Sequence, residues 1–107
     1  MPMIEINEFT PKRAWDFLPI MSMNGVSARV HWTDRPFKWH INVGDEVFVV
    51  LSGSVEMHYR EDVTEQKCRL GVGDVFYAHQ GMVHVACPLE PSYVLVVEKE
   101  EGSSKFL

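Results

Sequence analysis

The chain has 107 residues and a mass of 12.3 kDa, enough for one domain with one core and too short for a second core of any size. Apolar residues make up 46% and charged residues 23%, with a mean hydropathy of -0.10, which excludes disorder, collagen-like repeats and coiled coil. A formal charge of -5 and a pI near 5.4 argue against binding to a phosphate backbone, and the longest apolar runs, Val47 to Leu51 and Tyr93 to Val97, are too short to span a bilayer.

The N-terminus, MPMIEINEF, has no basic stretch followed by an apolar one, so no secretory signal is expected and a cytoplasmic location is the default. Met3 to Ile6 reads as a first strand. The segment from Pro11 to Pro19, with KRAWDFL inside it, reads as one or two helical turns stopped by Pro19. Asn24-Gly25 is a turn signal, and after it Val26, Ala28, Val30 and Trp32 alternate with Ser27, Arg29, His31 and Thr33, the period of a half-buried strand. Phe37 to Val43 alternates as well. Glu46 to Leu51 is apolar on both faces after its first residue, as in a central strand. Val55, Met57 and Tyr59 alternate with Glu56, His58 and Arg60. Further strands are predicted at Thr64 to Leu70, Val75 to Ala78, Met82 to Cys87 and Tyr93 to Glu98. The polar tail, residues 99–107, is expected to fray. This spacing of short strands, with no long amphipathic helix, predicts an all-β sandwich or barrel.

Cys68 and Cys87 form no CxxC pair, so a zinc ribbon is excluded, and both read as reduced, partly buried small residues. Two stretches look like more than scaffold: WHINVGDEVFVVLSG, from Trp39 to Gly53, and GDVFYAHQGMVHVACP, from Gly73 to Pro88. In the first, His40 and Asn42 share a strand face, and a turn at Val43-Gly44 brings Glu46 back toward His40. The second offers His79 and His84 on either side of Gly81. Two imidazoles and a carboxylate from separate strands suit a divalent transition metal, Fe, Mn, Ni or Zn. Glu46 opens a strand apolar on both faces, where an unpaired carboxylate is costly and a cation is the simplest remedy.

These stretches resemble the two motifs of the cupin superfamily, and the chain looks like a small bacterial member. The first motif is matched as His40-x-Asn42-x3-Glu46-x6-Gly53, and the second as Gly73-x5-His79-x-Gly81-x2-His84-x3-Pro88. Gly53 and Gly73 lie 20 positions apart, a short segment between motifs, and the resemblance covers about residues 26–98. It implies a double-stranded β-helix, or jelly-roll, barrel with one divalent metal on His40, Glu46 and His84. The family's other motif histidine is Asn42 here, a weaker oxygen ligand, so Asn42 or His79 would complete the site. Asp34 replaces the opening glycine of the first motif, His79 the proline and Pro88 the asparagine of the second.

Periodicity alone would place His40 with Lys38 and Asn42 on a solvent face, opposite Phe37, Trp39, Ile41 and Val43. The joint fit of Glu46, Gly53 and His84 favours His40 pointing inward. The apolar set would then need cover, which predicts a homodimer. Trp32, Lys38, Phe48, Met57 and Phe76 are the candidates for the substrate pocket, although most of them read equally well as core, and Lys38 as a rim residue. His31 and His58 read as solvated. The expected function is metal-dependent isomerase, cyclase or dioxygenase chemistry on a small organic substrate in the barrel mouth. The alternative is a non-catalytic barrel for a sugar or effector acid, its metal site weakened by Asn42. Neither nucleic acid nor membrane is an expected partner.

Overall fold

The computed structural model describes residues 3–100 and the backbone of residues 104–106. Among these the chain forms ten strands: β1 (Phe17–Met23), β2 (Val26–Thr33), β3 (His40–Asn42), β4 (Glu46–Ser52), β5 (Val55–Glu61), β6 (Thr64–Leu70), β7 (Val75–Ala78), β8 (Val83–Pro88), β9 (Ser92–Lys99) and β10 (Ser104–Phe106). They build two antiparallel five-stranded sheets, ordered β1-β2-β9-β4-β7 and β10-β3-β8-β5-β6. The pairs β2–β9, β3–β8, β4–β7 and β5–β6 are nested. The chain from β2 to β9 is thus one long doubled ribbon, folded so that successive pairs fall in alternate sheets. That is the jelly-roll, or double-stranded β-helix, that the motif spacing implies.

The predicted strands from β2 to β9 stand within a residue or two of their expected bounds, except at β3. Only His40–Asn42 of the Phe37 to Val43 alternation is paired as a strand. Asn24-Gly25 makes the β1–β2 turn with both residues at positive φ, 53° and 76°, the conformation for which this dipeptide is suited. Three N- and C-terminal expectations are corrected. Met3 to Ile6 is not a strand; a short 3-10 turn covers Ile6–Glu8 instead. The helical turn expected before Pro19 is replaced by irregular turns and then by β1. Pro19 is tolerated there because β1 is an edge strand, with its register shifted between Pro19 and Met21. In the tail, Lys99 ends β9 and Ser104–Phe106 pairs with β3, while residues 101–103 and Leu107 lie outside the described residues.

The core lies between the sheets. Val50, Val55, Met57 and Val94 are almost entirely buried there, with Phe48, Phe76 and Val96 around them. Each such large side chain contributes roughly 1.5–3 kcal/mol by leaving water. The glycine that closes the first motif has a geometric reason to be one. Gly53 has φ +89°, and a β-carbon on it would lie 2.6 Å from the Pro91 carbonyl oxygen. No helix among the described residues is long and apolar enough to cross a membrane.

Candidate metal centre

β3 and β8 lie side by side, with His40 directly opposite His84, and β5 places Tyr59 opposite His84 on the other flank. Facing them from the other sheet, Glu46 opens β4, directly opposite Ala78 on β7 and Glu98 on β9. Alternation along each strand turns His40, Asn42, Glu46 and His84 into the barrel, where their exposures are 7%, 3%, 7% and 2%. Asn42 is fixed at the end of β3 because its backbone exchanges hydrogen bonds with the Gly81–Met82 turn: its N–H donates to Met82 O at 3.1 Å, and Gly81 N donates to its carbonyl at 2.8 Å.

One ligand atom from each of His40, Glu46 and His84 lies within 4.8 Å of the others. The His84 Nε2 donates to Glu46 Oε1 at 2.9 Å, and the His40 and His84 ring centroids are 4.3 Å apart. His40 Nδ1 is 2.8 Å from the Lys38 carbonyl oxygen. A carbonyl only accepts, so Nδ1 carries the proton and the Nε2 lone pair is left for a cation. That is the usual way a backbone oxygen orients an imidazole ligand. Burial holds His40 below its ordinary range, with His84 adding to the effect against the Lys38 bond, so the ring is neutral. Burial alone would raise Glu46. Hydrogen bonds from His84 and Glu98, with the field of both imidazoles, outweigh it and hold the carboxyl below its ordinary range. A neutral imidazole, an ionised carboxylate and a second imidazole form a donor set that fits a divalent transition metal.

The fourth positions named from the sequence behave otherwise. The Asn42 amide nitrogen donates to Glu46 Oε1 at 3.4 Å and to Ala78 O at 3.3 Å. Turning the amide over would set its oxygen against two acceptors, so the nitrogen, not the oxygen, faces Glu46. Oδ1 is left buried with no partner. Asn42 therefore positions the carboxylate. His79 is exposed, with its Nδ1 against Gln80 O at 2.9 Å, and is not grouped with the three. The turn that Gly81 makes points it outward.

The three residues line a cavity of about 230 Å³. Of the predicted pocket residues, Phe48 and Met57 line it. Lys38 is exposed beside it, Trp32 lies on the opposite face of β2, and Phe76 is core against Tyr59. The rest of the wall was not foreseen: Trp15, Phe17, Phe37, Arg29, His31 and Glu98, with Ala86 and Val96. Arg29 and His31 lie on the polar face of β2, and that face looks inward; His31 is thus not solvated. Its Nδ1 donates to Trp15 O at 3.0 Å, and burial lowers its pKa. Phe37, expected on the outer apolar face, instead packs edge-on to His40 and Trp15 in the cavity wall, because residues 36–39 leave the strand alternation. Glu98 shared a signal that was legible: it continues the inward alternation of Val94 and Val96 on β9. It stands directly opposite Glu46 in the sheet and helps hold that carboxyl low.

No protein-family model and no curated protein matches the chain. Solved structures do. A cupin-2 domain protein from Shewanella frigidimarina superposes with a TM-score of 0.78 at 23% identity, over 92% of this chain and 96% of that one. A cupin superfamily protein from Desulfitobacterium hafniense gives 0.68 at 14% identity, over 86% and 84%. An oxalate oxidase in complex with the substrate analogue glycolate gives 0.67 at 16% identity, over 78% of this chain and 46% of that one. At these identities the likeness bears on architecture, and it establishes that this chain has the cupin fold.

Proposed function

We propose that the chain is a cupin-type metal-binding protein acting as a small metal-dependent enzyme, of the isomerase, cyclase or dioxygenase kind, on a small organic molecule in the cavity. The observation that carries this reading is the convergence of His40, Glu46 and His84 on the wall of an otherwise largely aromatic and aliphatic cavity. Those three residues would hold one divalent ion, Fe, Mn, Ni or Zn. When bound, such an ion supplies Lewis-acid polarisation of a carbonyl or enediolate, or a redox partner for dioxygen.

The chain's own residues supply the rest. Lys38 O orients His40, and Asn42 steadies Glu46. Phe37, Phe48, Met57 and Trp15 keep bulk water from the reacting atoms, which strengthens every charge interaction there. Glu98, opposite Glu46 on β9, sets a second carboxyl group at the wall. His31 has its Nδ1–H committed to Trp15 O, which leaves Nε2 as its basic atom.

Metal analysis after dialysis against Mn(II), Fe(II), Ni(II) or Zn(II) tests the metal site. About one ion per chain is expected, lost in His84→Ala and Glu46→Gln; no uptake, or uptake unchanged in both variants, sinks the reading. The non-catalytic alternative draws on Asn42, whose nitrogen faces Glu46 where an imidazole would give a further ligand. Turnover of an enolisable diketone by the loaded protein, absent in His84→Ala, would decide for the enzyme. Half-exposed Trp39 and Ile41 on the outer sheet face support a homodimer, to be checked by sedimentation. Trp39 is already partly covered by the Arg60 guanidinium, 4.8 Å from its ring. The free thiols of Cys68 and Cys87 support a cytoplasmic location, and residues 1–107 are proposed to be one domain.

A further inference from the structure

Among the described residues Arg29 is the one Lys or Arg lining the cavity, and its place there is built by the fold. It stands opposite Val96 on β9, which in turn stands opposite Phe48 on β4, so Arg29 is one row from the Glu46–Glu98–Ser27 row on the same inward face. Its guanidinium lies over the Phe17 ring, 4.7 Å from the centroid. Among the described residues no carboxylate lies within ion-pair distance of it. A guanidinium set against an aromatic wall keeps its fork of N–H donors for an acceptor that arrives from outside.

We infer that the cavity takes a small organic carboxylate with an apolar body, its carboxylate held by Arg29 and its body against Phe17, Phe37 and Trp15. The inference rests on the metal reading above, because a divalent ion and Arg29 together outweigh the two carboxylates of Glu46 and Glu98 on the cavity wall. Without the ion, the carboxyls would repel the ligand. The aromatic wall sets the second half of the specificity: a purely polar dianion would leave those rings without contact. Arg29 is thus the residue that selects acid over neutral analogue, on a protein whose net charge of -5 would otherwise disfavour anions.

The probes are benzoylformate and its methyl ester, titrated by calorimetry into the Zn(II)-loaded full chain, with quenching of tryptophan fluorescence as a second readout. The acid is expected to bind at least about tenfold more tightly than the ester, a factor worth about 1.4 kcal/mol. Arg29→Gln should remove that preference while zinc stoichiometry stays as in the parent, and Arg29→Lys should restore part of it. A parent that takes up zinc but does not prefer the acid overturns the inference alone, as does an Arg29→Gln variant that keeps the preference. A parent that takes up no zinc overturns the metal reading and this inference with it. Should Arg29→Gln fail to fold, the acid-to-ester ratio in the parent and in Arg29→Lys still decides: equal ratios of one in both overturn the inference.

Discussion

Of the departures from the cupin pattern, Asn42 is the one at a ligand position, and its neighbours say what the change does. The amide donates to Glu46 and to Ala78 O, so it holds the carboxylate's direction without offering the cation a lone pair. An imidazole at the same inward position would offer one. Asn42→His is therefore expected to tighten metal binding by about tenfold or more, about 1.4 kcal/mol, in a competition titration against a chromogenic chelator. Unchanged affinity would mean that position 42 cannot reach the ion. His31 makes a different prediction. Burial is the main cause of its lowered pKa and Arg29 adds to it, while Trp15 O, Glu46 and Asp16 pull the other way. The unfolded chain therefore takes up the proton first as pH falls. The stability tied to neutral His31 is complete above about pH 6.5 and is lost as pH drops from there through the lowered folded value. Melting temperature should fall across that window, and His31→Gln should flatten the slope in part, since His40 shifts in the same sense. A slope unchanged by the variant would remove His31 as its source.

Gly53 and Gly73 separate two reasons for a glycine at the level of the strands they join. Both have φ near +90°, but a β-carbon at Gly53 meets Pro91 O and the Ser92 backbone, whereas nothing lies within 4 Å at Gly73. Gly53→Ala should cost about 3 kcal/mol, the upper end for local backbone strain, because backbone atoms on the β8–β9 turn must shift. Gly73→Ala should cost about 1 kcal/mol, from the left-handed conformation alone. Equal losses in thermal melts would refute the steric difference. The same contrast between local and tertiary causes explains what was legible in the chain. Turn residues and period-two alternation announced β2 and β4 to β9, because they act over a few neighbours. β1 was hidden: Pro19 and KRAWDFL favour a turn locally, and only pairing with β2 makes it a strand. Which face of a strand looks inward was harder still. On β2 the apolar set suggested the core, yet the polar set lines the cavity, because a functional barrel interior breaks the rule that inward means apolar. The convergence of His40, Glu46 and His84 was legible because gapped motif spacing fixed the face at each of them. Arg29, His31 and Glu98 belong to no motif and needed the register of three strands to be placed together.

The three candidate ligands span the molecule: His40 and His84 come from one sheet and Glu46 from the other. A cation between them ties the two faces of the barrel, and the chain cannot unfold globally while all three hold it. Binding must then appear as stability. At a free metal concentration about 100 times the dissociation constant, the folded state gains about 2.7 kcal/mol. For a domain near this size, each kcal/mol moves the melting temperature by about 4 to 8 °C. Zinc should therefore raise the midpoint by roughly 10 to 20 °C, in proportion to the logarithm of its concentration, and excess EDTA should reverse the rise. An acidic chain offers surface carboxylates to any divalent ion, so a rise alone is not enough. Magnesium serves as the control, since it prefers oxygen ligands and binds imidazole poorly. It should move the midpoint little, and His84→Ala should abolish the zinc effect while leaving the small magnesium effect in place. A zinc shift that survives His84→Ala, or that magnesium reproduces, would place the stabilising ion on the surface and leave the two sheets held by their shared core alone.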